Sequence, residues 1–253
     1  MNPTLLTKLR HLRLSGMAEA LPVRLAQAEG GSMSFLEFLE LLVEDELHRR
    51  ADRLFARRVK QATISTIKEL KDFDWGFNPK IPKRICFELN ALKFISQGDN
   101  AVLIGPPGVG KSHVAKAVAY SAVRTGLHVY YAEADELLAA LVQAPPAERK
   151  KLLKPLLDAD LLVLDDLFMA RRISQDAADQ LQSIVHKRYK LRRSLLITSN
   201  RIIADWTPYL GDSALASTIL DRLMHRSVLV EFKGRSYRLK EAAARLAKAD
   251  ASE

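Results

Sequence analysis

The sequence predicts an α/β layer fold: a parallel five-stranded sheet clad in helices, with a small all-helical domain in front of it. Three observations carry this. From about residue 83, short β-rich runs alternate with helical segments, the pattern of parallel strands joined by crossover helices. Over roughly the first 70 residues, the apolar residues recur at helical spacing. Aromatic residues are only 7% of the 253-residue chain, which disfavours a sandwich or barrel packed on rings. Apolar residues at 48% and charged residues at 27% are ordinary globular usage, which excludes a wholly disordered chain.

The elements follow in order. Leu5, Leu9 and Leu12 share one helix face, and Gly16 offers a stop. Gly30-Gly31-Ser32 breaks the chain, and Ser34 followed by Glu37 has the spacing of a capping box. Phe35, Leu36, Leu39, Leu42, Val43 and Leu47 then describe a long amphipathic helix. Its second half carries Arg49, Arg50, Arg53, Arg57, Arg58 and Lys60 against Asp52 alone. Arg49, Arg53, Arg57 and Lys60 form one stripe, suited to neutralising phosphates. We read 1–62 as the helical domain and 63–82 as a linker with alternating Phe73, Trp75 and Phe77. The core, 83–253, holds the β-rich runs Ala101–Ile104, His128–Ala132, Leu161–Leu164, Leu195–Thr198 and Val228–Val230.

Between the first run and a helix over His113–Arg124, residues Gly105, Pro106, Pro107, Gly108, Val109, Gly110, Lys111 and Ser112 spell G-x-x-x-x-G-K-[ST]. Such a loop turns backbone N–H groups and a helix N-terminus toward phosphate oxygens, which predicts a bound nucleotide. Lys111 would reach the β and γ phosphates, Ser112 would ligate Mg²⁺, and His113 would border the nucleotide. Leu161–Leu164 leads into Asp165-Asp166, carboxylates at the C-terminal end of a buried strand, where α/β sheets bind ligands. Asp165 is placed to hold Mg²⁺ opposite Ser112, and Asp166 to polarise an attacking water. A third strand ends in Asn200, which could bond the γ-phosphate or simply start the next turn.

Together these motifs resemble the AAA+ ATPases of the initiator and helicase-loader group. Within it the chain is similar to the IstB-type transposition helper ATPases of bacterial insertion sequences, relatives of the helicase loader DnaC. Asp72-Phe-Asp-Trp-Gly-Phe, Thr198-Ser-Asn-Arg201, Ile219-Leu-Asp-Arg-Leu-Met-His-Arg226 and Gly234-Arg-Ser-Tyr-Arg238 carry the likeness, which runs over nearly the whole chain. It implies an ATPase with Mg²⁺ that oligomerises with ATP on duplex DNA and assists a transposase. A helicase loader acting on single strands is the alternative. It also implies Asn200 as sensor 1, Arg222 as the finger reaching a neighbour's γ-phosphate with Arg226 as its substitute, and Arg238 as the late arginine that reads nucleotide state. Phe73 and Trp75 lie where the family packs chain against the adenine base. Two departures stand out. Position 166 is Asp where many AAA+ proteins have Glu, which suits slow hydrolysis, and the residues after Arg238 are too few for a full helical lid.

Charge and composition bound the partners. Lys+Arg 39 against Asp+Glu 30 gives +9, which suits a polyanion. Beyond the helical stripe, Arg171-Arg172 follow the Asp-Asp strand, and Lys187, Arg188, Lys190, Arg192 and Arg193 flank a helix end. Nothing resembles a base-reading module, so backbone contacts independent of sequence are expected. The single cysteine, Cys86, excludes an internal disulfide framework and a multi-cysteine zinc site, and the scattered histidines match no metal motif. No stretch of about 18 apolar residues occurs, so no membrane partner is expected and the location predicted is the cytoplasm.

Overall fold

A computed structural model describes residues 3–31, 33–169 and 173–250, the side chains of residues 3 and 247–250 excepted. The chain divides into two compact units, Met1–Arg58 and Val59–Glu253.

The first unit is helical: α1 (Pro3–His11), α2 (Ser15–Glu29) and most of α3 (Phe35–Gln61). α3 starts where the capping box predicts, with the Ser34 N–H donating to Glu37 Oε2 at 2.7 Å and the Glu37 N–H donating to Ser34 Oγ at 3.2 Å. Gly16 corrects the sequence reading. It does not stop a helix but lies inside α2, and the turn before it is made at Arg13, whose φ is 60°. Glycine is required there because a Cβ would sit 2.7 Å from both the Asp45 carbonyl oxygen and the Glu46 Cα of α3. The same Glu46, 5% exposed, accepts the Gly16 N–H at 2.7 Å and the Met17 N–H at 3.3 Å. Its carboxyl is held below the ordinary value: burial alone would raise it, but the hydrogen bonds from Arg50, Gly16 and Met17 outweigh burial.

The second unit continues through a short 3₁₀ turn (Leu70–Asp72), α4 (Lys83–Asn90), α5 (Lys93–Gln97), β1 (Asn100–Ile104) and α6 (Lys111–Arg124). Then follow β2 (Val129–Glu133), α7 (Ala134–Gln143), α8 (Pro146–Asp158), β3 (Leu161–Leu167), α9 (Gln175–Leu191) and β4 (Ser194–Ser199). A second 3₁₀ turn (Ile203–Asp205), α10 (Trp206–Leu210), α11 (Ser213–Met224), β5 (Ser227–Glu231) and α12 (Tyr237–Asp250) complete it. All strand pairs are parallel, in the order β2-β3-β4-β1-β5. The expected five-stranded parallel sheet is therefore present.

Its central strands read as unbroken apolar runs because both faces are covered: every residue of β1 and β4 is buried. One face packs on α7, α9, α10 and α11 through Leu138, Leu141, Leu181, Ile184, Trp206, Ile219 and Leu223. Asn100 joins β1 to its surroundings, donating to the Leu223 carbonyl at 3.0 Å and accepting the Leu195 N–H at 2.9 Å. The sheet order brings the ends of β1, β3 and β4 side by side, so their following loops open into one crevice. Among the described residues no helix is long and apolar enough to cross a membrane.

Candidate nucleotide-binding site

β1 delivers the glycine-rich loop, and α6 begins at its lysine. Gly110, with φ of 110°, caps α6, and a Cβ there would lie 2.4 Å from the Phe73 ring. Gly108, with φ of 78°, would meet Ser236 Oγ at 2.1 Å. The loop is thus gripped from two sides, by the linker and by the start of α12, where the Tyr237 N–H donates to the Gly108 carbonyl at 2.9 Å. Lys111 is 3% exposed, and its Nζ donates to the carbonyls of Gly105 and Pro106, each at 2.8 Å, and to Asn200 Oδ1 at 2.6 Å. Burial lowers the ammonium to about 8, against the opposing pull of Asp166 and Asp165.

The acidic half sits on a β-bulge. The β3–β4 register slips between Leu164 and Leu167, and Asp166 adopts a φ of 54°. That left-handed conformation is one Asp tolerates better than most residues. The buried Asp165 accepts from Thr198 Oγ1 on one oxygen, at 2.5 Å, and from the Tyr131 hydroxyl on the other. The Asp166 N–H donates to the same Thr198 Oγ1 at 2.8 Å. Glu133, at the end of β2 and paired in register with Asp165, joins them: one carboxylate oxygen from each of Glu133, Asp165 and Asp166 lies within 4.8 Å of the others. Burial raises the carboxyls of Glu133 and Asp166, and the charge of Asp165 raises both further. Crowded carboxylates of this kind, all hard oxygen donors, fit Mg²⁺, whose charge would relieve their repulsion. Sequence reading missed Glu133. Its β2 run stopped one residue short, and only the pairing of β2 with β3 brings that carboxylate to Asp165.

A cavity of about 700 Å³ opens over these groups. Gly108, Val109, Gly110, Lys111, Ser112, His113, Asp166 and Asn200 line it, with Phe73 and Phe77 from the linker and Tyr237, Arg238 and Glu241 from α12. Pro107 lines it too, while Gly105 and Pro106 stand behind the loop as acceptors for Lys111. His113 sets its ring edge-on to Phe73 at 5.1 Å and contacts the Glu69 carbonyl at 3.0 Å; burial lowers its imidazole. Asn78 fixes the linker to the start of α12, donating to the Arg235 carbonyl at 2.8 Å and accepting its N–H at 2.9 Å. Trp75 is not brought to this cavity: its indole N–H donates to the Leu70 carbonyl and its ring lies 5.6 Å from Phe87. Nor is Arg222, which donates to the Thr218 carbonyl of its own helix at 2.9 Å, while Arg226 is exposed.

The basic clusters sort differently from the sequence. Arg49 and Arg50 do not stand unbalanced, since they pair with Glu19 at 3.1 Å and Glu46 at 2.7 Å. Arg53, Arg57 and Lys60 are exposed and Arg58 is half-buried. Arg171 and Arg172 lie outside the described residues. Arg188 is fully buried, and Arg193 pairs with Asp160, so neither is a free surface charge.

The profile of IstB-like ATP binding proteins matches residues 7–245. A Pseudomonas aeruginosa protein named for ATP binding and insertion sequence IS21 is 37% identical over 238 residues, covering 94% of this chain and 88% of that one. An insertion-sequence ATP-binding protein of Mycobacterium tuberculosis is 35% identical over 243 residues, 94% of each chain. In fold, the crystal structure of DnaI superposes with a TM-score of 0.56 at 21% identity, over 67% of this chain and 89% of that one. With its glycine-rich loop, paired acids in β3 and parallel sheet, the chain belongs to the IstB-like ATP-binding protein family.

Proposed function

We propose that this chain is a Mg²⁺-dependent ATPase that assembles on duplex DNA when ATP is bound and assists a transposase in the cytoplasm. The observation that carries the reading is one cavity in which Lys111, Ser112, Asp166 and Asn200 converge, in a chain whose relatives are named for insertion sequences. Lys111 exchanges the Asn200 amide and two loop carbonyls for phosphate oxygens as ATP enters. Ser112 and Asp165, the latter steadied by Tyr131 and Thr198, hold Mg²⁺, with Glu133 beside them. When bound, Mg²⁺ would supply charge neutralisation for the phosphate groups held by Lys111. Asp166 orients and polarises the attacking water, for which a carboxyl raised by burial is a better-matched base than an ordinary one. Asn200, freed from Lys111, contacts the γ-phosphate, and Arg238 senses it from α12. Arg222, absent from its own cavity, completes the site of a neighbouring subunit, so the assembled state binds ATP more tightly and hydrolysis dissolves it. The exposed Arg53, Arg57 and Lys60 supply DNA phosphate contacts.

Fluorescence anisotropy with long duplex and single-stranded DNA at one fixed salt, with ATP, ADP or no nucleotide, tests the reading. Cooperative, ATP-dependent binding to duplex is the expected result. Preference for single strands replaces it with a helicase loader, and absence of binding to either removes the DNA role. Lys111→Ala should abolish nucleotide binding.

A further inference from the structure

β2 is an edge strand, and at one residue its outer side is paired by the chain that leaves α3. The Tyr131 N–H donates to the Ala62 carbonyl at 2.9 Å, and Thr63 Oγ1 donates back to the Tyr131 carbonyl. Ala62 is fully buried in this contact region. Thr63 is a β-branched residue at φ 56°, a conformation that persists only when the surroundings over-determine it. Its hydroxyl, shared between the carbonyls of Ala62 and Tyr131, is such a determinant. The side chain of the same tyrosine points inward, 3% exposed, and its hydroxyl donates to Asp165 Oδ2. Lys116 Nζ lies 5.5 Å over its ring. One residue therefore holds the chain at the end of α3 with its backbone and the acid at the bulge of β3 with its side chain.

We propose that Tyr131 is the positioning residue that sets the Asp165 carboxylate for Mg²⁺ and ties that carboxylate to the end of α3. The inference rests on the reading of Asp165 as a Mg²⁺ ligand. A carboxylate has four lone-pair sites, and donors on both oxygens leave it one orientation in which the remaining sites face a cation or its waters. Removing the Tyr131 donor frees the carboxylate to rotate about its Cβ–Cγ bond. Displacing the Ala62–Thr63 segment shifts the Tyr131 backbone, and the hydroxyl with it, so a change in the last turn of α3 reaches the metal site through a single side chain.

The test is binding of the fluorescent analogue mant-ATP to the full chain, once with Mg²⁺ and once with EDTA; the ratio of the two dissociation constants reads the metal's contribution without turnover. Tyr131→Phe keeps the ring and should leave binding in EDTA unchanged while weakening binding in Mg²⁺ by roughly tenfold, the scale expected when a partner of a metal ligand is removed. A loss confined to Mg²⁺ separates positioning from a general fault in folding, which would weaken both. Thr63→Val should weaken Mg²⁺-dependent binding by a smaller factor and add nothing when combined with Tyr131→Phe. Equal Mg²⁺ ratios for Tyr131→Phe and the parent chain overturn the positioning role. Additive effects, or no effect of Thr63→Val, overturn the tie to α3. Asp165→Asn separates the two layers. If it keeps the parent ratio, the reading of Asp165 fails; if it loses the ratio while Tyr131→Phe keeps it, only the present inference fails.

Discussion

Asp166, proposed above to polarise the attacking water, carries a charge that opposes stability. Burial, and then the neighbouring charge of Asp165, raise its carboxyl, so its ionised form costs the folded chain stability. Asp166→Asn keeps a residue type that accepts a φ of 54° and removes that charge. It should raise the melting temperature of the nucleotide-free protein by a few degrees and abolish hydrolysis; a fall in melting temperature would contradict this account. Gly16 makes the opposite case, a residue chosen for packing alone. Alanine gains roughly 1 kcal/mol over glycine in a helix interior, and less at the second residue of a helix, where Gly16 sits. Here, however, the added Cβ meets backbone at 2.7 Å, and backbone cannot swing aside. Overpacking of roughly 1–3 kcal/mol should win, so Gly16→Ala should lower the urea midpoint of the helical unit. In the sequence Gly16 looked like a helix stop, because nothing near it in the chain reveals Glu46.

At the scale of elements, buried charges join segments that the sequence leaves unrelated. Arg188 of α9 donates to the carbonyls of Leu156 and Ala159 at the end of α8, and to those of Asp160 and Ser194 at the starts of β3 and β4. Burial lowers its guanidinium to about 9, yet four acceptors keep it in place. Arg188→Met fills similar volume but leaves those carbonyls unpaired. It should destabilise the second unit by roughly 3–5 kcal/mol in chemical denaturation, with little change in DNA affinity. An exposed DNA contact would give the reverse pattern. In the helical unit Glu46 plays the joining part between α2 and α3. Its folded value lies below that of an ordinary glutamate, so its contribution is fully present above the ordinary value and is lost as pH falls through the lower folded value. Glu46→Gln should therefore flatten the acid limb of a stability-versus-pH curve for helix content, while leaving the neutral side otherwise sloped as before.

For the whole molecule, the decisive prediction concerns assembly. Arg222 is turned to its own helix and stands away from its own cavity, so an inactive Arg222→Ala chain still offers an intact P-loop. Mixed with Lys111→Ala, which offers an intact Arg222, it should regain part of the ATPase activity that neither variant shows alone. No recovery on mixing would remove the finger assignment. The layer architecture, the phosphate loop with Lys111 and Ser112, the acids at positions 165 and 166 and the capping box at Ser34 can all be read along the chain. Each is written in residues a few positions apart, where periodicity, turn chemistry and strand polarity act locally. Folding alone brings Glu133 beside Asp165, sets Tyr131 against that acid, turns Phe73 to the phosphate loop and pairs Arg49 with Glu19. Those facts depend on contacts between residues 30 or more positions apart, such as Gly16 with Glu46 and Tyr131 with Asp165. A charge pattern along one helix cannot show which partner another helix will bring to it.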